Sequence, residues 1–240
     1  MKSFICNITV ALMLFCSSVY AADCEKALFG WDLKTGHHIG GTLSNEGVSA
    51  RNPRGFQASK KDTGNFRNGV FCGGTAFGWS CKALPKKYDV RKLTRGQAIQ
   101  LYHDNQWQEI LGDEWHGQYL PYKVFDVGVN CGSGSAALCL VDTINELNGI
   151  ATDFSRRPVI THAMVEWVNS YTRSDTLSPD YKPKYLGDIG QPNGTDSTRR
   201  KLFITTFEKK VAEHYGDIIA HNPKLAVWWQ TWKRRLNTDE

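Results

Sequence analysis

The chain lacks most of the features that mark a metalloenzyme, a nucleic-acid-binding protein or an integral membrane protein. It has seven cysteines and seven histidines, but no Cys-x-x-Cys, His-x-x-x-His or His-Glu-x-x-His spacing, so we expect no metal or other cofactor. No long Lys/Arg run indicates a nucleic-acid partner. The densest basic cluster, Lys233-Arg234-Arg235, closes a predicted helix, where the helix dipole favours cations. Beyond residue 21, no apolar segment is long enough to cross a bilayer.

The first 21 residues follow the order of a cleavable secretory signal peptide. Lys2 precedes an apolar run from Phe4 to Phe15, and Val19-x-Ala21 supplies the small residues that signal peptidase requires. This run is shorter than the roughly 20 residues that span a bilayer, which argues against the alternative, a retained membrane anchor. We expect cleavage after Ala21, export to the periplasm or the extracellular space, and no stable membrane insertion of the mature chain.

The mature chain, 22–240, has a length suited to a single domain. Lys2 is the only charged residue of the signal segment, so its removal lowers the formal net charge from +5 to +4. A modest positive charge suits a polyanionic partner such as a cell wall, without selecting one. The oligomeric state is left open by the sequence.

Five cysteines remain after cleavage at Ala21, and an oxidising compartment favours their pairing. Cys72 and Cys81 stand nine residues apart around a Gly-rich turn, which predicts a disulfide-bonded hairpin. Cys131 and Cys139 can pair only if no continuous helix connects them, because a rise of about 12 Å over eight helical residues exceeds the reach of a disulfide. The pairing of Cys24, Cys131 and Cys139 therefore stays open.

Helical patterns dominate the chain after Lys82, whereas Asn45 to Lys82 is rich in turn-forming residues and predicts loops with one small β-hairpin. Thr94-x-x-Gln97 predicts a capping box at the start of a helix. The Pro- and Gly-containing stretch 174–196 predicts a surface loop. We expect a mostly α fold with one small β-hairpin near the N-terminal third. The predicted helices span about 94–106, 135–147, 158–171, 203–218 and a short segment from Pro223.

Several short motifs carry the candidate chemistry. In chain order they are Asn45-Glu46-Gly47, Asp62-Thr63-Gly64, Gly73-Gly74-Thr75-Ala76-Phe77-Gly78-Trp79, Tyr102-x-x-x-x-Trp107, Phe125-Asp126-Val127-Gly128-Val129-Asn130 and Trp229-x-x-Trp232-x-x-Arg235. This order resembles glycoside hydrolase family 108, the endolysin-like N-acetylmuramidases, over roughly 40–236. The chain departs from the family pattern at Val48, which stands for a glycine, at Trp79, which stands for an isoleucine, and at 65–72, which separates the Asp and Thr halves of one motif.

The resemblance implies a lysozyme-like α+β fold and hydrolysis of the bond between N-acetylmuramic acid and N-acetylglucosamine in peptidoglycan glycan strands. It makes Glu46 the general acid and Asp62 the second carboxylate. Thr75 would position water or the acetamido group. The other candidates for substrate binding are Gly78, Trp79, Tyr102, Trp107, Asp126 and Asn130. A structural role is the alternative for Asp126 and Asn130, and a place in the core for Trp107.

The chemistry of glycoside cleavage agrees with this set of residues. A glycosidic oxygen is a poor leaving group, so a carboxylic acid must protonate it, and an apolar setting raises the pKa of that acid towards neutrality. A lytic transglycosylase, in which a sugar hydroxyl closes an anhydro ring, is one alternative. A wall-binding module without catalysis is another. A peptidase of the wall stem peptides is less favoured, because the chain shows no zinc or Cys-His signature.

Overall fold

The computed structural model describes residues 24–25, 27–28, 31–32, 38–39, 42–45, 48–49, 51–116, 119–148, 157–172 and 196–236. The chain divides into two compact units, Met1–Asn105 and Gln106–Glu240. The predicted signal peptide, 1–21, lies outside the described residues, as does nearly all of the predicted surface loop 174–196.

The described residues of the first unit form short antiparallel strand pairs and short helices, with 3-10 turns at Thr63–Asn65 and Val90–Lys92. Residues Phe66–Phe71 and Thr75–Ser80 each fold back on themselves through two-residue turns, Asn68-Gly69 and Phe77-Gly78, whose residues all have positive φ, as type I′ hairpin turns require. The second of these pairs is the predicted hairpin. The elements are β1 (Trp31–Asp32), β2 (His38–Ile39), α1 (Thr42–Asn45), β3 (Phe66–Arg67), β4 (Val70–Phe71), β5 (Thr75–Ala76), β6 (Trp79–Ser80) and α2 (Arg95–Tyr102).

The start of α2 confirms the predicted capping box. The Gln97 backbone N–H donates to the Thr94 hydroxyl, and the Thr94 backbone N–H donates to the Gln97 side-chain oxygen. Two backbone donors that the helix itself cannot satisfy are thereby paired. Ala98, Leu101 and Tyr102 are buried, and the chain continues into a π-helical turn at His103–Trp107.

The described residues of the second unit are mostly helical. Its helices are α3 (Tyr119–Cys131), α4 (Ser133–Asn148), α5 (His162–Tyr171), α6 (Asp196–His221) and α7 (Trp229–Leu236), with 3-10 turns at Gly112–Glu114 and Pro223–Trp228. Helix α4 packs against both α3 and α6 and buries its apolar side chains, as its nearly all-round apolar sequence predicts. The prediction of a mostly α fold is confirmed, with the β content spread over three short strand pairs among the described residues.

The ends of the predicted helices differ from the sequence-based expectation. Gly132, at φ 90°, separates α3 from α4, so Asn130 lies inside α3. The same break places Cys131 and Cys139 on different helices. Helix α5 begins at His162 after the N-cap Thr161, later than the position of Pro158 suggests.

A buried lysine links three helices of the second unit. The Lys123 side chain on α3 is 6% exposed, and its Nζ lies 3.0 Å from the Glu208 Oε1 on α6. The same Nζ donates to the carbonyl oxygen of Leu236, the last residue of α7, at 3.1 Å. This contact satisfies one of the carbonyls left open at a helix C-terminus. None of the helices in the described part of the chain has the length and apolar character of a bilayer-spanning segment.

Candidate active site

The proposed general acid, Glu46, lies outside the described residues. Helix α1 ends at Asn45, one residue before Glu46. The role of Glu46 as general acid is therefore a prediction from the sequence. Asp62, the second candidate carboxylate, is exposed and precedes the 3-10 turn Thr63–Asn65. Its Oδ1 accepts a hydrogen bond from the Gly64 backbone N–H at 2.8 Å, as an N-cap aspartate does.

Thr75 lies on β5, and its backbone and side chain are both held. Its backbone exchanges two hydrogen bonds with Gln57, from Thr75 N–H to Gln57 O at 2.8 Å and from Gln57 N–H to Thr75 O at 2.9 Å. Its hydroxyl donates to the Asn65 Oδ1 at 2.9 Å. Asn65 is fully buried, whereas Thr75 is half-buried. The hydroxyl proposed to position water or the acetamido group is therefore fixed by a buried neighbour.

The predicted disulfide between Cys72 and Cys81 is present, with the two Cα atoms 5.8 Å apart. It closes the segment that contains β5. Within this segment Gly74 has φ +118°, and a Cβ added there would lie 2.3 Å from the Gln57 carbonyl oxygen. Only glycine fits so close an approach. The Gly-rich sequence is thus explained by the packing of β5 against the chain at Gln57.

Gly78 and Trp79 belong to the β5–β6 hairpin, and Tyr102 of α2 packs against it. Gly78 occupies the turn at φ 75°. The Trp79 ring packs against the Tyr102 ring with centroids 5.3 Å apart, and its indole nitrogen is buried without a hydrogen-bond partner among the described residues. Tyr102 is buried, and its hydroxyl donates to the Phe77 carbonyl oxygen at 2.9 Å. Tyr102 supports the hairpin from within the core, whereas half-buried Trp79 keeps part of its surface accessible.

The remaining candidates belong to the second unit. Trp107 is 1% exposed, packs edge-to-face on Phe125 at 5.4 Å and donates from Nε1 to the Asp113 Oδ1 at 2.7 Å. This burial favours the core role for Trp107. Asp126 is also buried, at 5% exposed.

Asn130 is held by a buried tyrosine. The Asn130 Nδ2 donates to the Tyr215 hydroxyl at 2.9 Å. Burial raises the pKa of the Tyr215 hydroxyl above its usual range, and the nearby Cys131 thiol raises it further. The hydroxyl therefore stays protonated over the working pH range, and the Asn130 contact is a neutral hydrogen bond inside the helical unit.

Two features of these units do not follow from the sequence motifs. One is the buried Asn65 that holds Thr75. The other is an open cleft of about 220 Å³ in the second unit, where the His162 Nδ1 lies 2.6 Å from the Glu114 Oε2 and Asn169 donates to the Glu114 carbonyl. Neither feature has a sequence signature. Asn65 is a single residue, and the residues of the cleft are far apart in the sequence. Across the described ranges, no cluster of three or more His, Cys, Asp or Glu side chains is arranged to bind a metal ion.

The chain contains a glycoside hydrolase segment, because residues 39–132, which include Glu46, Asp62 and Thr75, match a glycosyl hydrolase model. That model is described as Glycosyl hydrolase 108, so the matched segment is similar to this family. The chain is also similar to the solved structure of Brucella abortus SagA, at 16% identity and a TM-score of 0.47, over 81% of this chain and 84% of that one. No curated protein sequence gives a significant match.

Proposed function

We propose that this protein is an exported N-acetylmuramidase that cleaves the bond between N-acetylmuramic acid and N-acetylglucosamine, with Glu46 as general acid. The family match supports a glycosidase that hydrolyses peptidoglycan. The observation that carries the finer proposal is the β5–β6 hairpin. Its disulfide, its Gly74 contact and the bond from Thr75 to Asn65 together hold one hydroxyl rigidly within the matched segment.

The roles of the residues follow from the chemistry of the bond. Glu46 gives its proton to the leaving oxygen while the bond from that oxygen to the anomeric carbon breaks. The oxygen of a water molecule, positioned by Thr75, forms the new bond to the same carbon, and Asp62 accepts the proton that this water loses. Asp62 is exposed in this structure and is therefore open to solvent, as a base that acts on water must be.

The test is the product analysis of purified peptidoglycan treated with the mature enzyme and with Glu46→Gln. Glutamine keeps the shape and the hydrogen-bonding capacity of Glu46 but cannot donate the proton, so turnover should fall by about 10²–10⁴-fold while wall binding survives. Glu109→Gln, at an exposed position in the same matched segment, is the matched control and should cleave as the wild type does. Asp62→Asn should also reduce turnover if Asp62 acts on the water.

Mass spectrometry of the released fragments separates the alternatives. Reducing muramic acid ends support the hydrolase, anhydro ends indicate a lytic transglycosylase, and binding without fragments indicates a wall-binding module. A folded Glu46→Gln protein that clears peptidoglycan at the wild-type rate would show that another group is the acid.

A further inference from the structure

We propose that Asn65 is a positioning residue for the reaction, which fixes the direction of the Thr75 hydroxyl so that Thr75 can only accept a hydrogen bond from water or substrate. The inference rests on the proposed glycosidase function. It concerns a residue of 65–72, the stretch by which this chain departs from the pattern of its family. The Asn65 side chain is buried and meets Thr75 on one side and the backbone of Ser59 on the other.

The Ser59 carbonyl determines which atom of the Asn65 amide donates and which accepts. The Asn65 Nδ2 donates to the Ser59 carbonyl oxygen at 2.9 Å, and a carbonyl oxygen can only accept. The Asn65 Oδ1 must therefore face Thr75, since the opposite orientation of the amide would place two oxygen atoms against each other at Ser59. The Thr75 hydroxyl, 2.9 Å from this Oδ1, is thus obliged to donate its proton to it.

The backbone on both sides prevents this arrangement from relaxing. The Asn65 N–H donates to the Asp62 carbonyl at 3.1 Å, and the Cys72 N–H donates to the Asn65 carbonyl at 2.9 Å. Cys72 is bonded in turn to Cys81, and Thr75 is paired with Gln57. The backbones of Asn65 and Thr75 are therefore anchored independently, and this fixes the position of each side chain relative to the other.

A hydroxyl group has one proton and two lone pairs. Because the proton of Thr75 is committed to Asn65, any further partner must be a donor, such as a water O–H or the N–H of an acetamido group. A water that donates one hydrogen to Thr75 directs a lone pair elsewhere, and this lone pair is what attack on the anomeric carbon requires. Asn65 thus sets the orientation of the nucleophile through Thr75 and touches no substrate itself.

The experiment is a double-mutant cycle on kcat with soluble peptidoglycan fragments, using Asn65→Ala, Thr75→Val and the double variant. Asn65→Ala should lower kcat by about tenfold or more, the equivalent of about one hydrogen bond in the transition state, with KM changed by less than about threefold. In the Thr75→Val background the same substitution should have almost no further effect on kcat, because the two residues act as one unit. Equal reductions in both backgrounds would assign Asn65 a merely structural role and overturn the inference.

Asn52→Ala is the matched control. Asn52 also stabilises a loop of the first unit: its Nδ2 donates to the Phe56 carbonyl at 3.2 Å, and its Oδ1 accepts from the Phe56 N–H at 3.0 Å. The Asn52→Ala substitution should therefore lower the melting temperature and leave kcat unchanged. If Asn65→Ala does not fold, Asn65→Asp takes its place. Its carboxyl group is buried against the Ser59 carbonyl oxygen and is expected to be protonated there, so that it donates to Ser59 and still accepts the Thr75 proton. A folded protein should therefore keep kcat within about fivefold of the wild type, and a loss of tenfold or more, equivalent to about one hydrogen bond, overturns the proposal.

The two proposals fail differently in this experiment. A wild-type enzyme that releases fragments, together with an Asn65→Ala variant of unchanged kcat, leaves the glycosidase function standing and refutes the positioning role. A wild-type enzyme that releases no fragments refutes both.

Discussion

The ring of Trp79 lies against the ring of Tyr102, with centroids 5.3 Å apart, and so joins the β5–β6 hairpin to α2. Tyr102 adds a hydrogen bond from its hydroxyl to the Phe77 carbonyl in the turn of the same hairpin. The hairpin that bears Thr75 is therefore supported from the helix by an aromatic contact and a polar one. The two contacts can be separated by mutation.

Tyr102→Phe should remove the polar contact and keep the aromatic one. The buried Phe77 carbonyl then loses this donor, which costs about 1–3 kcal/mol of unfolding free energy. Tyr102→Leu should cost more, since it also removes the ring that meets Trp79. Chemical denaturation of both variants gives the comparison. Equal stability of Tyr102→Phe and the wild type would show that water replaces the lost donor.

Two glycines of the first unit should respond to alanine with opposite signs. Gly74→Ala places a Cβ 2.3 Å from the Gln57 carbonyl at a φ of +118°, so it should destabilise the protein by about 2 kcal/mol or more. Gly96→Ala lies exposed in α2 with no atom within 4 Å of the new Cβ and should stabilise it by about 0.5–1 kcal/mol. Thermal unfolding of the pair tests this contrast. A neutral Gly74→Ala would mean that the contact with Gln57 is dispensable.

The features that the sequence predicts correctly in this protein depend on short-range interactions. The capping box needs only Thr94 and Gln97, three residues apart, and the hairpin disulfide joins residues nine apart around glycines. In both cases the geometry follows from local spacing. Such patterns predict the same local structure whatever the rest of the fold.

The features that the sequence does not reveal depend on packing between distant segments. Helix α3 contains Gly128, which weakens its intrinsic helix propensity, and its buried contacts in the second unit outweigh that cost. The bond between Asn65 and Thr75 forms because the β3–β4 hairpin folds between them. An isolated asparagine in an inserted stretch carries no pattern from which this pairing follows.

Because of Glu146 on α4, the free energy of unfolding of the second unit should decrease slightly at acidic pH. The Glu146 hydrogen bond with Lys210, and a second one with Lys209, both on α6, lower the pKa of the Glu146 carboxyl below its usual value of 4.5. A lowered folded-state pKa contributes stability above pH 4.5 that is lost as the pH falls through the folded-state value. The side chain is 39% exposed, so the effect should stay below about 1 kcal/mol and shrink in salt. Glu146→Gln should reduce this decrease when the free energy of unfolding is measured as a function of pH, whereas Glu109→Gln should leave the decrease unchanged.

Removal of the Cys72–Cys81 disulfide should destabilise the first unit. By the chain-entropy relation, a bridge closing a loop this short contributes about 2–3 kcal/mol. The double variant Cys72→Ser/Cys81→Ser should therefore unfold at a lower temperature, and reductant should lower the wild-type midpoint but leave that of the variant unchanged. Non-reducing peptide mapping provides the independent check. A peptide that links Cys72 to a cysteine other than Cys81 would contradict the bond seen here.

Formation of this disulfide in the cell requires an oxidising compartment, so the bond and the proposed export predict each other. If 1–21 directs export, the mature protein should begin at Ala22, because Val19-x-Ala21 precedes that position. Val19→Arg disturbs the small-residue pattern without altering the mature chain, so the uncleaved precursor should accumulate at the membrane. N-terminal sequencing of the wild-type and variant proteins, with thiol titration of each, tests both halves. Active protein that is found in the cytoplasm, still begins at Met1 and has Cys72 and Cys81 reduced would contradict the proposed export to a cell-wall substrate.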